Sequence, residues 1–204
     1  GGGINIWDKK NNTFDYITES NSKLIDNNIK ALKIFDYPRL WIGTFKSGLK
    51  IYDIEAKRFE NIILPPKLKD ILMNVGVYAI EKDKNNNIWI GTFGKGAIKY
   101  NPHTQVFQHI YNFDGIKNIL SNNLMRTICV DIDNNVWLGT EKGLNKINTS
   151  GIVTNYFYDE NLQYGEDILS IYQDTSNNIW VGTKSKGLYK YNGASFDTLE
   201  LVVD

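Results

Sequence analysis

Along most of the chain, apolar and polar residues alternate with period two in short runs rich in Ile, Val, Thr and aromatic residues. Clusters of Asn, Asp, Gly and Pro break these runs. Successive side chains of a strand face opposite sides, and the breaking residues tolerate left-handed or fixed backbone angles, so the pattern predicts short strands joined by tight turns. One segment recurs: Leu40-Trp41-Ile42-Gly43-Thr44 returns as Ile88-Trp89-Ile90-Gly91-Thr92, Val136-Trp137-Leu138-Gly139-Thr140 and Ile179-Trp180-Val181-Gly182-Thr183, with tryptophans 48, 48 and 43 residues apart. Self-similarity at this period marks a repeat architecture.

More of the chain falls into the same frame. A Gly-apolar pair follows each motif (Gly48-Leu49, Gly96-Ala97, Gly143-Leu144, Gly187-Leu188). An Asp-to-Asn turn precedes the last three (Asp83 to Asn87, Asp131 to Asn135, Asp174 to Asn178), and Asp36-Tyr37-Pro38-Arg39 takes its place in the first. Upstream lie the strands Ile29-Lys30-Ala31-Leu32, Val77-Tyr78-Ala79-Ile80, Met125-Arg126-Thr127-Ile128 and Ile168-Leu169-Ser170-Ile171. Each unit reads strand, Asn-rich turn, Trp strand, loop, Gly strand, turn, aromatic strand: a four-stranded meander, the unit of a propeller blade. Trp89 and Gly91 share one face, with Ile88, Ile90 and Thr92 on the other. Both faces are apolar and need covering, as in blades stacked about an axis, and the glycine leaves room for a neighbour's side chain. The four tryptophans read as core rather than as a ligand platform.

The segment from Gly3-Ile4-Asn5-Ile6-Trp7-Asp8 through Phe14 matches Gly48 through Phe59 and Gly96 through Phe107, so the chain opens inside a repeat. The expected fold is all-β: a β-propeller segment of four complete four-stranded blades plus the outer two strands of a fifth. The blades fall at about 1–20 (outer half), 24–63, 73–111, 121–158 and 165–204, with the last outer strand near Phe196 to Val203. Uncovered blade faces and strand edges are a liability, so the expectation is a piece of a larger propeller, open as an arc or completed by another chain.

Composition narrows the function classes. The 204 residues, 42% of them hydrophobic, suffice for a full core. Lys plus Arg equals Asp plus Glu at 23 each, so no whole-chain field draws the protein to nucleic acid or anionic lipid. The single cysteine, Cys129, has no internal disulfide partner and reads as inert core. No apolar run approaches the roughly 18 residues of a membrane span. The opening Gly1-Gly2-Gly3-Ile4 lacks the charged and apolar regions of a signal peptide, so no targeting segment is read.

The units Asp83-Lys84-Asn85-Asn86-Asn87-Ile88-Trp89-Ile90-Gly91-Thr92 with Gly96, and Asp131-Ile132-Asp133-Asn134-Asn135-Val136-Trp137-Leu138-Gly139-Thr140 with Gly143-Leu144, resemble the two-component regulator propeller repeat. The resemblance covers nearly the whole chain. It implies the periplasmic or extracellular sensor region of a bacterial hybrid two-component system, commonly two seven-bladed propellers followed by a β-sandwich, a membrane span and a histidine kinase. Many such systems answer to oligosaccharides released from polysaccharides. The implied role is non-enzymatic ligand sensing without a cofactor. The implied partners are an oligosaccharide or other small ligand, further blades or another protomer, and the kinase region of the parent chain. The alternatives are a structural or protein-interaction propeller and a virginiamycin-type propeller lyase. A lyase needs a histidine base near the axis, and the inner strands carry none.

Other chemistry reads as structure. Asp131-Ile132-Asp133-Asn134-Asn135 imitates a calcium loop but has Val136 where the turn glycine belongs. His103 and His109 flank Phe107 without a cysteine or acidic partner at ligand spacing, so no metal site is expected and both read as solvated outer-edge residues. Gly94-Lys95-Gly96 and Lys184-Ser185-Lys186-Gly187 lack the spacing of a phosphate loop. Propeller ligands bind on the face made by the loops entering each inner strand and those joining the second and third strands. There the inner strands place Lys30, Tyr78, Arg126 and Leu169 at equivalent positions, and the loops add Phe45, Lys46, Phe93, Lys95, Glu141, Lys142, Lys184 and Lys186. The candidate ligand contacts are therefore Lys30, Tyr78, Arg126, Phe45, Lys46, Phe93, Lys95, Lys142 and Lys186. Two aromatics with several cations suit a sugar bearing carboxylate or sulfate, with rings on C–H groups and cations on the acid. A solvated rim is the plain alternative.

Overall fold

The computed structural model describes residues 2–113, 119–159 and 164–198, in two compact units, Gly1–Ile80 and Glu81–Asp204. The first unit begins with a hairpin of β1 (Ile4–Asp8) and β2 (Thr13–Ile17). It continues with an antiparallel meander of β3 (Ile29–Asp36), β4 (Arg39–Thr44), β5 (Leu49–Asp53) and β6 (Arg58–Glu60), a short helix α1 (Pro66–Leu72) and the start of β7 (Gly76–Lys82). The division falls inside β7, whose sheet continues in the second unit with β8 (Ile88–Phe93), β9 (Ala97–Asn101) and β10 (Val106–Ile110).

Two further meanders follow in the second unit. The first is β11 (Met125–Val130), β12 (Val136–Thr140), β13 (Gly143–Ile147) and β14 (Val153–Tyr156). After a short pair, β15 (Tyr158–Asp159) and β16 (Tyr164–Gly165), comes the second: β17 (Ile168–Gln173), β18 (Ile179–Thr183), β19 (Leu188–Tyr191) and β20 (Phe196–Thr198). Residues 199–203 of the expected last outer strand lie outside the described residues.

The repeated residues build these meanders by local hydrogen bonds. In the turn between the first two strands, Oδ1 of Asp131 accepts from the backbone N–H groups of Asp133 and Asn135, and Oδ2 accepts from Nε1 of the buried Trp137 at 2.8 Å. Asp83 and Asp174 do the same for Trp89 and Trp180, at 2.9 and 2.8 Å. Asn86, Asn134 and Asn177 take the left-handed backbone angle that closes each turn. In the first copy Phe35 stands six positions before the tryptophan and Asp36 only five, and the buried Nε1 of Trp41 has no acceptor.

The Gly-Thr end of the motif shapes the loop that follows. Oγ1 of Thr140 donates to the Gly143 carbonyl at 2.8 Å and accepts from the Lys142 N–H, and Thr44, Thr92 and Thr183 make the same pair of bonds.

Within each unit, successive sheets pack face to face. In the first, Ile4, Ile17 and Leu24 cover Leu40, Ile42 and Tyr52. In the second, Trp137 and Leu144 lie against Ile168, Ile179 and Val181, with Cys129 half-buried beside them. Rings extend this core: Trp137 meets Tyr191 edge-on at 5.1 Å and Tyr156 meets Phe196 at 5.2 Å. Burial, with the neighbouring Tyr191 hydroxyl, pushes the Tyr156 phenol up to about 12. A Cβ on Gly139 would lie 2.8 Å from Cγ2 of Ile168, so the glycine beside the tryptophan is what lets the next sheet approach.

Candidate functional site

Three of the four equivalent inner-strand positions, those of Lys30, Arg126 and Leu169, sit on backbone irregularities. Ile29 pairs with Thr44 and Ala31 with Gly43, which leaves Lys30 without a partner opposite it. The register shifts in the same way around Arg126, between Met125 and Thr127, and around Leu169, between Ile168 and Ser170. A bulge of this kind twists the strand and re-aims its extra side chain, a device common beside binding sites.

Backbone bonds fix the loops around these bulges. The Phe45, Glu141 and Lys184 N–H groups each donate to the carbonyl just before an inner strand, on Asn28, Leu124 and Asp167. The glycine at the head of each third strand reaches the next repeat: Gly48 donates to Val75 at 3.0 Å, Gly96 to Asn123 at 3.0 Å and Gly143 to Glu166 at 2.7 Å. Each acceptor stands three residues before Tyr78, Arg126 or Leu169. Gly48, Gly96 and Gly143 hold positive φ here, which explains why the Gly-apolar pair recurs.

In the first unit the structure brings Lys30, Phe45 and Tyr78 together. The Lys30 ammonium lies 5.3 Å from the Phe45 ring centre and 5.2 Å from that of Tyr78, and the two rings stand 6.3 Å apart. Lys46 is exposed, and its N–H donates to Oδ2 of the buried Asp26 at 2.8 Å.

In the second unit Arg126 joins Phe93, with its guanidinium carbon 5.5 Å from the ring centre. Two carboxylates bind the same guanidinium: Nη2 donates to Glu141 at 2.5 Å, and Nε and Nη2 donate to Asp167 at 3.2 Å each. Lys184 approaches Asp167 at 3.9 Å. Arg126 is thus a tie between repeats, with its charge answered inside the fold. Lys95, Lys142 and Lys186 project from their loops as exposed side chains, and Leu169 presents an exposed apolar side chain at its bulge. His103 is exposed, whereas His109 is half-buried, stacked on Tyr111 at 4.5 Å with Nε2 donating to the Lys95 carbonyl at 2.6 Å.

Sequence reasoning missed the acidic residues of these loops, one in the first unit and two in the second. Asp26, Glu166 and Asp167 come from the loops entering the inner strands. Glu166 is buried, and its Oε1 accepts from the Ser185 N–H and hydroxyl at 2.9 and 2.7 Å, while Oε2 has no partner. The available signal was an acid three or four residues before Lys30 and Leu169. Among the described residues no group of His, Cys, Asp and Glu is arranged to hold a metal ion.

The segments from inner strand to Trp-strand loop match a known family. The model described as two component regulator propeller matches residues 71–94, 119–142 and 164–185. These three segments carry the two-component regulator propeller repeat. The first copy, in which Asp36-Tyr37-Pro38-Arg39 replaces the Asp-Asn turn, falls outside the three matched propeller repeats.

A protein of Formosa agariphila named histidine kinase P4 is 38% identical over 98% of the chain, and the chain spans 15% of that relative's length. The extracellular domain of a putative hybrid two component system from B. thetaiotaomicron superposes with a TM-score of 0.76 at 20% identity, over 100% of this chain and 26% of that chain. Virginiamycin B lyase from Staphylococcus aureus superposes with a TM-score of 0.68 at 13% identity, over 99% of this chain and 64% of that chain. At such identities the two structures share the all-β propeller fold with these repeats. No helix among the described residues is long and apolar enough to cross a membrane.

Proposed function

We propose that the chain is a non-enzymatic sensing segment of a two-component receptor, placed outside the cytoplasmic membrane. An oligosaccharide or other small ligand binds its loop face, and occupancy is relayed to a kinase region of the parent chain. The 38% identity to a histidine kinase along nearly all of the chain carries this reading. The loop face supports it: bulged inner strands present Lys30 against Phe45 and Tyr78, and Arg126 against Phe93. Ring faces in either unit can pack on sugar C–H groups, and a loop cation of the same unit, Lys46 in the first or Lys95, Lys142 or Lys186 in the second, can meet an acid group. Relay requires the ligand to have different affinities for two states of the receptor.

The second reading, a propeller lyase, draws on the virginiamycin B lyase fold. It is disfavoured because β3, β7, β11 and β17 contain no histidine to serve as a base. Titration calorimetry with neutral and acidic oligosaccharides tests the proposal. Saturable binding is expected, weakened about tenfold by Phe45→Ala or Tyr78→Ala, the scale of one lost ring contact. If no oligosaccharide binds, or if both variants bind as the parent does, the loop face is not the ligand site and the scaffold reading takes its place.

A further inference from the structure

The first unit contains a groove of about 680 Å³ between β5, the chain leaving β6, the segment after β2 and α1. Pockets for small organic ligands span roughly 300–1,000 Å³. Its lining is mixed: Phe59, Ile62 and Leu72 form an apolar part, beside polar and charged side chains. Ile25 and Met73 stand at its lip, 63% and 57% exposed. Such side chains left in water at the mouth of a cavity mark a surface suited to an apolar partner, and methionine adapts to varied shapes.

The groove also has a definite charge. Lys23, Lys50 and Lys69 line it, from three separate parts of the chain. Glu60 is its one acidic lining residue, and its carboxylate already accepts from Nε of Arg39 at 2.8 Å. Arg39 pairs with Asp36 and Glu60 and Lys57 with Asp15, and none of these ion pairs takes up Lys23, Lys50 or Lys69. A neutral apolar guest would leave three ammonium groups unanswered. A multiply charged one would leave the apolar part in water.

We propose that this groove binds a small amphiphile with an apolar body and a single anionic head, the class of a medium-chain carboxylate. The chain lies along Phe59, Ile62 and Leu72, and the head sits among Lys23, Lys50 and Lys69. The site shares no residue with the loop-face contacts and does not rest on the oligosaccharide reading, so either can fail alone. Each CH2 group buried along the walls strengthens binding roughly fourfold, which makes affinity rise with chain length.

Calorimetry below the micellar range, with dodecanoate and dodecyltrimethylammonium as probes, tests it. Dodecanoate should saturate at one per chain, and the cationic probe should not. The double variant Lys50→Gln/Lys69→Gln should weaken dodecanoate about tenfold, as expected for two partly screened charges. Met73→Glu, which sets a like charge at the lip, should weaken it at least as much, whereas Lys67→Gln, on α1 but outside the groove, should leave it unchanged. Equal binding of both probes, or no loss in the double variant, would overturn the proposal. So would sedimentation with phosphatidylglycerol vesicles without saturable binding of free dodecanoate, which would assign the surface to a membrane.

Discussion

At the scale of single residues, the pairing of a turn aspartate with a tryptophan six positions later organises the hairpins. Asp131 satisfies the only polar atom of a wholly buried indole while holding two backbone N–H groups of the turn. Replacing it with alanine strands those donors, and Asp131→Ala should lower stability by about 1–3 kcal/mol in urea denaturation. Asp174 makes the same bonds, and the Asn178 amide, followed by the Trp180 indole, holds its carboxyl down to about 2 from the ordinary 3.8. The unfolded chain therefore takes up this proton first on acidification. The stabilisation is complete above about pH 4 and is lost as the pH falls towards about 2. A carboxyl-carbon NMR titration of Asp174 should show its midpoint near 2, moving up in Trp180→Phe. The turn residues were legible in the sequence because Asp and Asn recur. The bond to the tryptophan was not, since it depends on how the hairpin folds the indole back over the turn. Trp41 shows the cost of departing from the motif, with a buried donor and no acceptor.

At the scale of elements, each sheet reports whether a neighbour lies on it. Gly139 and Gly182 occupy the same motif position. A Cβ on Gly139 meets Cγ2 of Thr127 at 2.7 Å and of Ile168 at 2.8 Å, whereas on Gly182 its one close contact is the rotatable Ser170 hydroxyl at 2.5 Å. Gly139→Ala should therefore cost about 1–3 kcal/mol by overpacking, and Gly182→Ala should be nearly neutral, a contrast that thermal unfolding of the two variants reads directly. Arg126→Ala belongs here too. It unties Glu141 and Asp167, so it should destabilise the packing of β11 on β17 whether or not a ligand is present, visible as faster amide exchange in β17. Period-two alternation and the Trp-Gly motif made strands and faces readable beforehand. The bulges at Lys30, Arg126 and Leu169 left no such trace, because an inserted residue is recognised only by the partner strand's register.

At the scale of the whole molecule, the repeat predicts faces that expect company. Tyr52 is 6% exposed under Ile4 and Ile17, yet Trp7, at the equivalent place one repeat earlier, is 53% exposed and stacked on Phe14 at 6.3 Å, with Phe14 54% and Tyr16 56% exposed. On the propeller reading another sheet covers this aromatic face. The 204-residue chain alone should then self-associate, and Trp7→Lys/Phe14→Lys should shift sedimentation velocity towards monomer; finding the 204-residue chain itself a compact, stable monomer would count against this. The repeat was legible from the sequence because its glycines, threonines and tryptophans each answer a local demand. The charge balance of the loop face was not, because Arg126, Glu141 and Asp167 meet only when two repeats are packed. The central claim is that this face senses a ligand for a kinase. Its most direct test is autophosphorylation of the complete parent receptor in lipid nanodiscs, with and without the oligosaccharide that binds the loop face. Phosphate incorporation that changes with ligand, and stops changing in Phe45→Ala and Tyr78→Ala receptors, is the predicted result. Saturable binding with unaltered phosphorylation, or a parent chain without kinase activity, would contradict it.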